Sequence, residues 1–131
     1  MRHSTLAVAI ALALTSIALP TLAADRSTAE EAKKHFQRGR ELYDDGDLAG
    51  ALKELERSYA GVPNFKLLYN IGQIQAHQQD YTSALKSFRR FLTEGAGEVT
   101  EGRRAEVLKE IDKLRTRVAE LTITVSVDGA E

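Results

Sequence analysis

Four positions of this chain recur in register: Gly39, Asp47, Ala51 and Leu55 return as Gly72, Asp80, Ala84 and Phe88, each at an interval of 33 residues. A chain that repeats at such a period builds one supersecondary unit twice, and each unit buries its apolar face only by stacking on its neighbour. The strings GRELYDDGDLAGALKELERSYAGVPN (from Gly39) and GQIQAHQQDYTSALKSFRRFL (from Gly72) share one order: small residue, helix, Asp turn, helix. Each is expected to be a helical hairpin.

Local signals place the helix ends. Ser27 or Thr28 is expected to cap a first helix, with Glu30 or Glu31 as the capping-box acid. That helix should run to about Tyr43, where Asp44-Asp45-Gly46-Asp47 breaks it. Asp47 then caps a second helix carrying Leu48, Leu52, Leu55 and Tyr59 at three- and four-residue spacing, which Gly61 and Pro63 end. Asn64 caps a third helix with Leu68, Ile71 and Ile74 apolar, and Asp80 a fourth with Leu85, Phe88, Phe91 and Leu92, which Gly95 and Gly97 terminate. Gly39, Ala51, Gly72 and Ala84 read as structural positions where two helix backbones approach closely.

These residues resemble the tetratricopeptide repeat, whose pattern is a small residue in the first helix, a Gly-Asp turn, an early alanine in the second helix and a closing proline. Gly39, Gly46-Asp47, Ala51 and Pro63 fill it in the first unit. The second keeps Tyr69-Asn70-Ile71-Gly72, Asp80-Tyr81, Ala84 and Phe88, with Gln79 in place of the turn glycine and no closing proline. The first unit has His35 where a bulky apolar residue is usual and Arg38 where leucine normally sits, which weakens the packing of its first helix. The interval is one residue shorter than the family's 34, and the deletion is assigned to the turn after Pro63. The resemblance covers about residues 29–92 and implies an all-α fold with two tandem hairpins, about 29–64 and 65–97, within residues 24–98.

Two hairpins are short of the roughly three units that bury a continuous core, so something must cap the stack. Residues 99–121 are expected to do so: Val107, Ile111, Leu114, Val118 and Leu121 alternate intervals of four and three along a long C-terminal helix. Glu106 with Lys109 and Glu110 with Lys113 stand at supporting distance, each pair contributing only about 0.2–0.5 kcal/mol. The same heptad spacing fits a two-chain seam, and a weak homo-oligomer through residues 101–121 is the competing reading. Beyond Leu121 the period changes to strict alternation, with Ile123, Val125 and Val127 apolar. One short β-strand over residues 122–131 is therefore expected, followed by a hairpin signal at Asp128-Gly129. Val127-Asp128-Gly129-Ala130-Glu131 resembles the entry turn of a PEGA-type β domain, a module often attached to repeat proteins of bacterial envelopes. Either the chain is a piece of a longer protein, or the strand pairs with an edge on another molecule.

Residues 1–23 read as a secretory signal peptide: Arg2 at the start, an apolar run from Leu6 to Leu19, then Pro20 and small residues, with the cut placed after Ala23. An uncleaved membrane anchor suits Pro20 and the small residues less well. With no membrane span left after cleavage, the expected location is the periplasm or outer envelope of a Gram-negative bacterium. The absence of cysteine removes disulfides, thiolate metal sites and a lipoprotein anchor, so stability must come from packing. With 18 basic against 19 acidic side chains there is no basic field for nucleic acid.

The mature histidines, His35 and His77, lie in no catalytic motif, and Asp44-Asp45-Gly46-Asp47 lacks the spacing and closing glutamate of a calcium loop. No enzyme, cofactor or metal is expected. Function then falls to a surface. If Ala32, Gly39 and Leu42 face the partner helix, Lys33, Phe36, Arg40 and Tyr43 turn to the inner side of the stack. Lys66, Tyr69, Gln73 and His77 form the matching stripe of the second unit, with Asn70 beside them. This lining suits an extended peptide carrying carboxylates, and the expected role is a noncatalytic protein-interaction module of the cell envelope.

Overall fold

The computed structural model describes residues 21–128, with side-chain surroundings from Asp25 to Val125. Residues 1–20, and so nearly all of the expected signal peptide, lie outside the described residues, as do Gly129, Ala130 and Glu131. The chain forms α1 (Thr21–Asp44), α2 (Leu48–Gly61), α3 (Phe65–His77), α4 (Tyr81–Glu94) and α5 (Glu101–Asp128).

The three interior caps are where the sequence puts them. The Asp47 side chain accepts from the Gly50 amide, that of Asn64 from the Lys66 amide, and that of Asp80 from the Ser83 amide. Each satisfies an amide that a helix start leaves without a partner. Thr100 does the same for α5, accepting from the Arg103 amide. At the other ends, the Val62 amide returns to the Ser58 carbonyl and the Gly95 amide to that of Phe91.

The two turns also match. Gly46 takes φ 82°, and Gln79, one repeat later, takes φ 64°. This left-handed conformation is nearly free for glycine and costs other residues about 1–2 kcal/mol. Gln79→Gly should therefore raise stability by about 0.5–1 kcal/mol once the added freedom of the unfolded chain is subtracted, and the melting temperature by a few degrees. Thermal denaturation followed by circular dichroism measures it; no rise would mean that Gln79 is held there by contacts worth as much as the strain.

Within each hairpin the helices run antiparallel and touch at the small residues. A Cβ on Gly39 would stand 3.0 Å from Leu55 and 3.3 Å from the Ala51 carbonyl, and one on Gly72 would stand 3.0 Å from the Phe88 ring. Ala51 and Ala84 are fully buried opposite them. Two apolar clusters result. One joins the hairpins through Ala51, Leu55, Leu67, Ile71 and Ile74, with Phe36, Leu42 and Leu48 packed on it. The other joins α3, α4 and α5 through Leu68, Leu85, Phe88, Phe91, Val107, Ile111 and Leu114. Tyr59 packs against both. Among the described residues of α1, Ala32 is the only buried apolar side chain, which agrees with the polar departures at His35 and Arg38.

Where apolar contact is lacking, polar pairs tie the helices. His35 Nδ1 lies 2.6 Å from Glu54 Oε2, linking α1 to α2, and Arg57 holds the other Glu54 oxygen at 2.9 Å. Between α2 and α4, the Tyr59 hydroxyl donates to Glu94, Arg90 donates to the Tyr59 oxygen at 2.7 Å, and the Arg90 guanidinium lies over the Tyr59 ring. Inside α3–α4, the Ser87 hydroxyl donates to Gln75 Oε1 at 2.7 Å.

The hydrogen bond to His35 is the main cause that holds the Glu54 carboxyl below its ordinary value, with Arg57 assisting against the opposing effect of burial. The hydrogen bond from Tyr59 does the same for Glu94, with Arg90 assisting. A depressed folded-state value means that both groups stabilise the fold fully above the ordinary glutamate value of 4.5. That contribution is lost as the pH falls through the folded value. Urea denaturation between neutral and acid pH should show stability falling on acidification, with a shallower fall in a Glu54→Gln, Glu94→Gln double variant. An unchanged slope would assign the acid response to other carboxylates.

Three expectations are corrected. The helix α1 is already formed at Thr21, the first described residue, so Ser27 and Thr28 lie within it and do not cap it. Over the described part of the segment expected as a strand, residues 122–128, the chain is helical: α5 continues through Thr122 to Asp128. A lone strand leaves its backbone groups unpaired, whereas a helix satisfies them within the segment. The Thr122 and Thr124 hydroxyls follow, bonding back to the Val118 and Glu120 carbonyls. Finally, the apolar stripe of α5 is buried through Leu114 and partly at Val118, but Leu121 is 54% exposed, in an open cleft that it shares with Tyr81 and Thr82 at the start of α4. Of the two expected ion pairs on α5, Lys113–Glu110 forms, while Glu106 pairs with Arg103.

Candidate functional site

The helices α1 and α3 form the two walls of a groove, and α2 forms its floor. Along α1 the lining side chains are Lys33, Phe36, Arg40 and Tyr43, spaced three and four apart so that they share one face; along α3 they are Lys66, Asn70 and Gln73. The groove has two parts. In the first, of about 320 Å³, Leu55 and Ile74 provide an apolar base beneath Phe36, Arg40, Tyr43, Asn70 and Gln73, with Asp44 at its end. In the second, of about 380 Å³, Ala32, Val62 and Leu67 line the cleft between Lys33 and Lys66. Phe36 and Asn70 border both.

Seven of the nine residues read from the sequence as groove lining thus come together. Tyr69 and His77 do not. Tyr69 is half-buried between hairpin and cap: its ring lies 5.8 Å from Phe88 and 5.6 Å from Phe91, and the Arg103 guanidinium sits 4.8 Å over it. It borders a separate cleft between α3 and α5, shared with Phe65, Lys66, Val99 and Arg103. It is tied to the groove by a hydrogen bond accepted from Gln73 Nε2 at 3.0 Å. His77 is exposed near the end of α3 and lines none of the clefts described.

The sequence reading missed Ala32, Leu55, Val62, Leu67 and Ile74 as groove surface. Their apolar character marks them as core, and only the packing shows that their edges also face the groove. It also missed Arg103, whose role depends on where α5 crosses α3.

The electrostatics favour an anionic or neutral polypeptide. Among the described residues, Lys33, Arg40 and Lys66 engage no carboxylate, whereas Arg38, Arg57, Arg90 and Arg103 are each paired. The amides of Asn70 and Gln73 can both donate to and accept from a peptide backbone. Among the described residues there is no group of three His, Asp or Glu side chains placed to hold a metal ion, and His35 is committed to Glu54.

Two antiparallel hairpins stacked side by side and closed by a fifth helix define a helical-repeat protein. Residues 36–99 match the family model of the tetratricopeptide repeat, and this match supports a tetratricopeptide repeat protein. Repeats of this kind generally mediate protein–protein interactions and are typically noncatalytic. The match ends before α5, so the cap lies outside it. No curated protein matches the chain. Among the described residues, no helix is long and apolar enough to cross a membrane.

Proposed function

We propose that this protein is an exported, noncatalytic adaptor of the bacterial cell envelope that holds an extended peptide or protein segment in the groove between α1 and α3. The observation that carries the reading is the convergence of Phe36, Arg40, Tyr43, Asn70 and Gln73 on one cleft with an apolar base. That combination offers contact area, backbone hydrogen bonds and a positive charge for an acidic partner. The export and envelope location rest on the signal-like residues 1–23. An Arg40→Ala, Gln73→Ala double variant should lose about tenfold or more in affinity for peptides captured from an envelope-protein pool. Both substitutions are on exposed side chains, so the fold should be retained. Equal binding by wild type and variant rejects the groove.

A second reading has its own observation: Leu121, Ile123 and Val125 of α5 are exposed. In this reading the far half of α5 joins two copies, and the groove is idle. A light-scattering mass near twice that of the chain, reduced to one by Leu121→Glu, would establish it.

A further inference from the structure

We infer that the end of the groove nearest the starts of α1 and α3 is a socket for an apolar side chain that is followed by an acidic residue, within an extended segment of another protein. This rests on the groove reading and specifies what the groove selects.

The socket is built differently from the rest of the groove. Its walls are Ala32 from α1, Leu67 from α3 and Val62 from the connection between α2 and α3, and Val62 remains 44% exposed. An apolar residue held open to water beside buried apolar neighbours gains by being covered, and a leucine-sized side chain covers more of it than alanine. Lys33 and Lys66 flank the cleft from opposite walls. No carboxylate lines it; Asp44 lies in the adjoining part of the groove, and Glu94 and Glu98 line the cleft on the outer side of Val62 and Lys66. Two lysines with no carboxylate between them complement an acidic side chain at the mouth of an apolar pocket. Because Phe36 and Asn70 border both parts of the groove, the bound backbone continues past the socket.

The test is fluorescence anisotropy on the full chain with labelled decapeptides of Ser, Thr and Gln, built around Leu-Asp, Leu-Asn or Ala-Asp, plus one ending in Leu with a free carboxylate. The Leu-Asp peptide should bind about tenfold tighter than each of the others. Lys33→Ala with Lys66→Ala should erase the preference for Asp over Asn and keep that for Leu over Ala, and Val62→Glu should erase the preference for Leu. Equal binding of the first three peptides, no detectable binding, or tightest binding of the peptide ending in Leu overturns the socket. Peptides that bind through Arg40 and Gln73 without discriminating at Leu-Asp would leave the groove standing and the socket rejected. Discrimination that survives Arg40→Ala with Gln73→Ala at full affinity would do the reverse.

Discussion

Val107→Asp should remove most of the protein's stability at neutral pH and room temperature. Val107 is 0% exposed and sits in the cluster that joins α5 to α3 and α4. A carboxylate placed there has no cation to pair with inside the apolar cluster, and an uncompensated buried charge costs about 3–5 kcal/mol. Domains of this size are stable by only about 5–15 kcal/mol, and a two-hairpin stack belongs near the lower limit because so little surface is enclosed. The control is Leu121→Asp, on the same face of α5 but 54% exposed, which should change stability by about 0.5 kcal/mol or less. Urea denaturation of both variants measures the contrast. A tolerated Val107→Asp would show that α5 is not a cap, and a damaging Leu121→Asp would show that the far half of α5 is covered in solution.

Phe88→Ala is the second large effect, expected at about 3–5 kcal/mol. The Phe88 ring is 2% exposed, lies against Gly72 across the hairpin and stacks at a tilt on Tyr69. The cavity left behind cannot close easily, because α3 and α4 already approach as near as Gly72 allows. Gly72→Ala probes the same contact from the other side: its Cβ would need the ring to move by a few tenths of an ångström within a close-packed core. A loss of about 1–3 kcal/mol is expected from that overpacking. In a Gly72→Ala, Phe88→Leu double variant the two changes should be less harmful together than their sum, since the smaller side chain leaves room for the methyl group. Strict additivity would mean that the two residues do not share a contact.

The register of the repeat was legible because its signals are local. Asp47, Asn64 and Asp80 cap the helices that follow them through side chains two or three residues away, so their function is complete within one turn of chain. The glycine and alanine positions were legible for a related reason, since a 33-residue recurrence of small residues has few explanations besides close helix approach. The groove face of α1 followed from simple helical projection once Ala32 and Gly39 were assigned inward.

Other features depended on neighbours that no local pattern names. Tyr69 projects to the inner stripe, yet α5 arrives beside α3 and brings Arg103 over its ring, turning a groove residue into part of the joint between hairpin and cap. His35 reads as a defect in an apolar position until Glu54 is placed 2.6 Å away. The alternating residues beyond Leu121 carry a strand pattern, but a strand is a cooperative object that needs an edge to pair with. A helix needs only the turn before it, and α5 already supplies that turn.

The sequence by itself determined the number of hairpins, their caps and turns, and the small residues at their contacts, because each is settled by interactions within a few residues or by a recurring period. Tertiary structure alone decided how far α5 serves as a cap, where Tyr69 lies, and that Val62 and Leu67 line one cleft with two lysines. Those outcomes turn on which surfaces meet across distant parts of the chain, and helix length and crossing, not local preference, set that meeting.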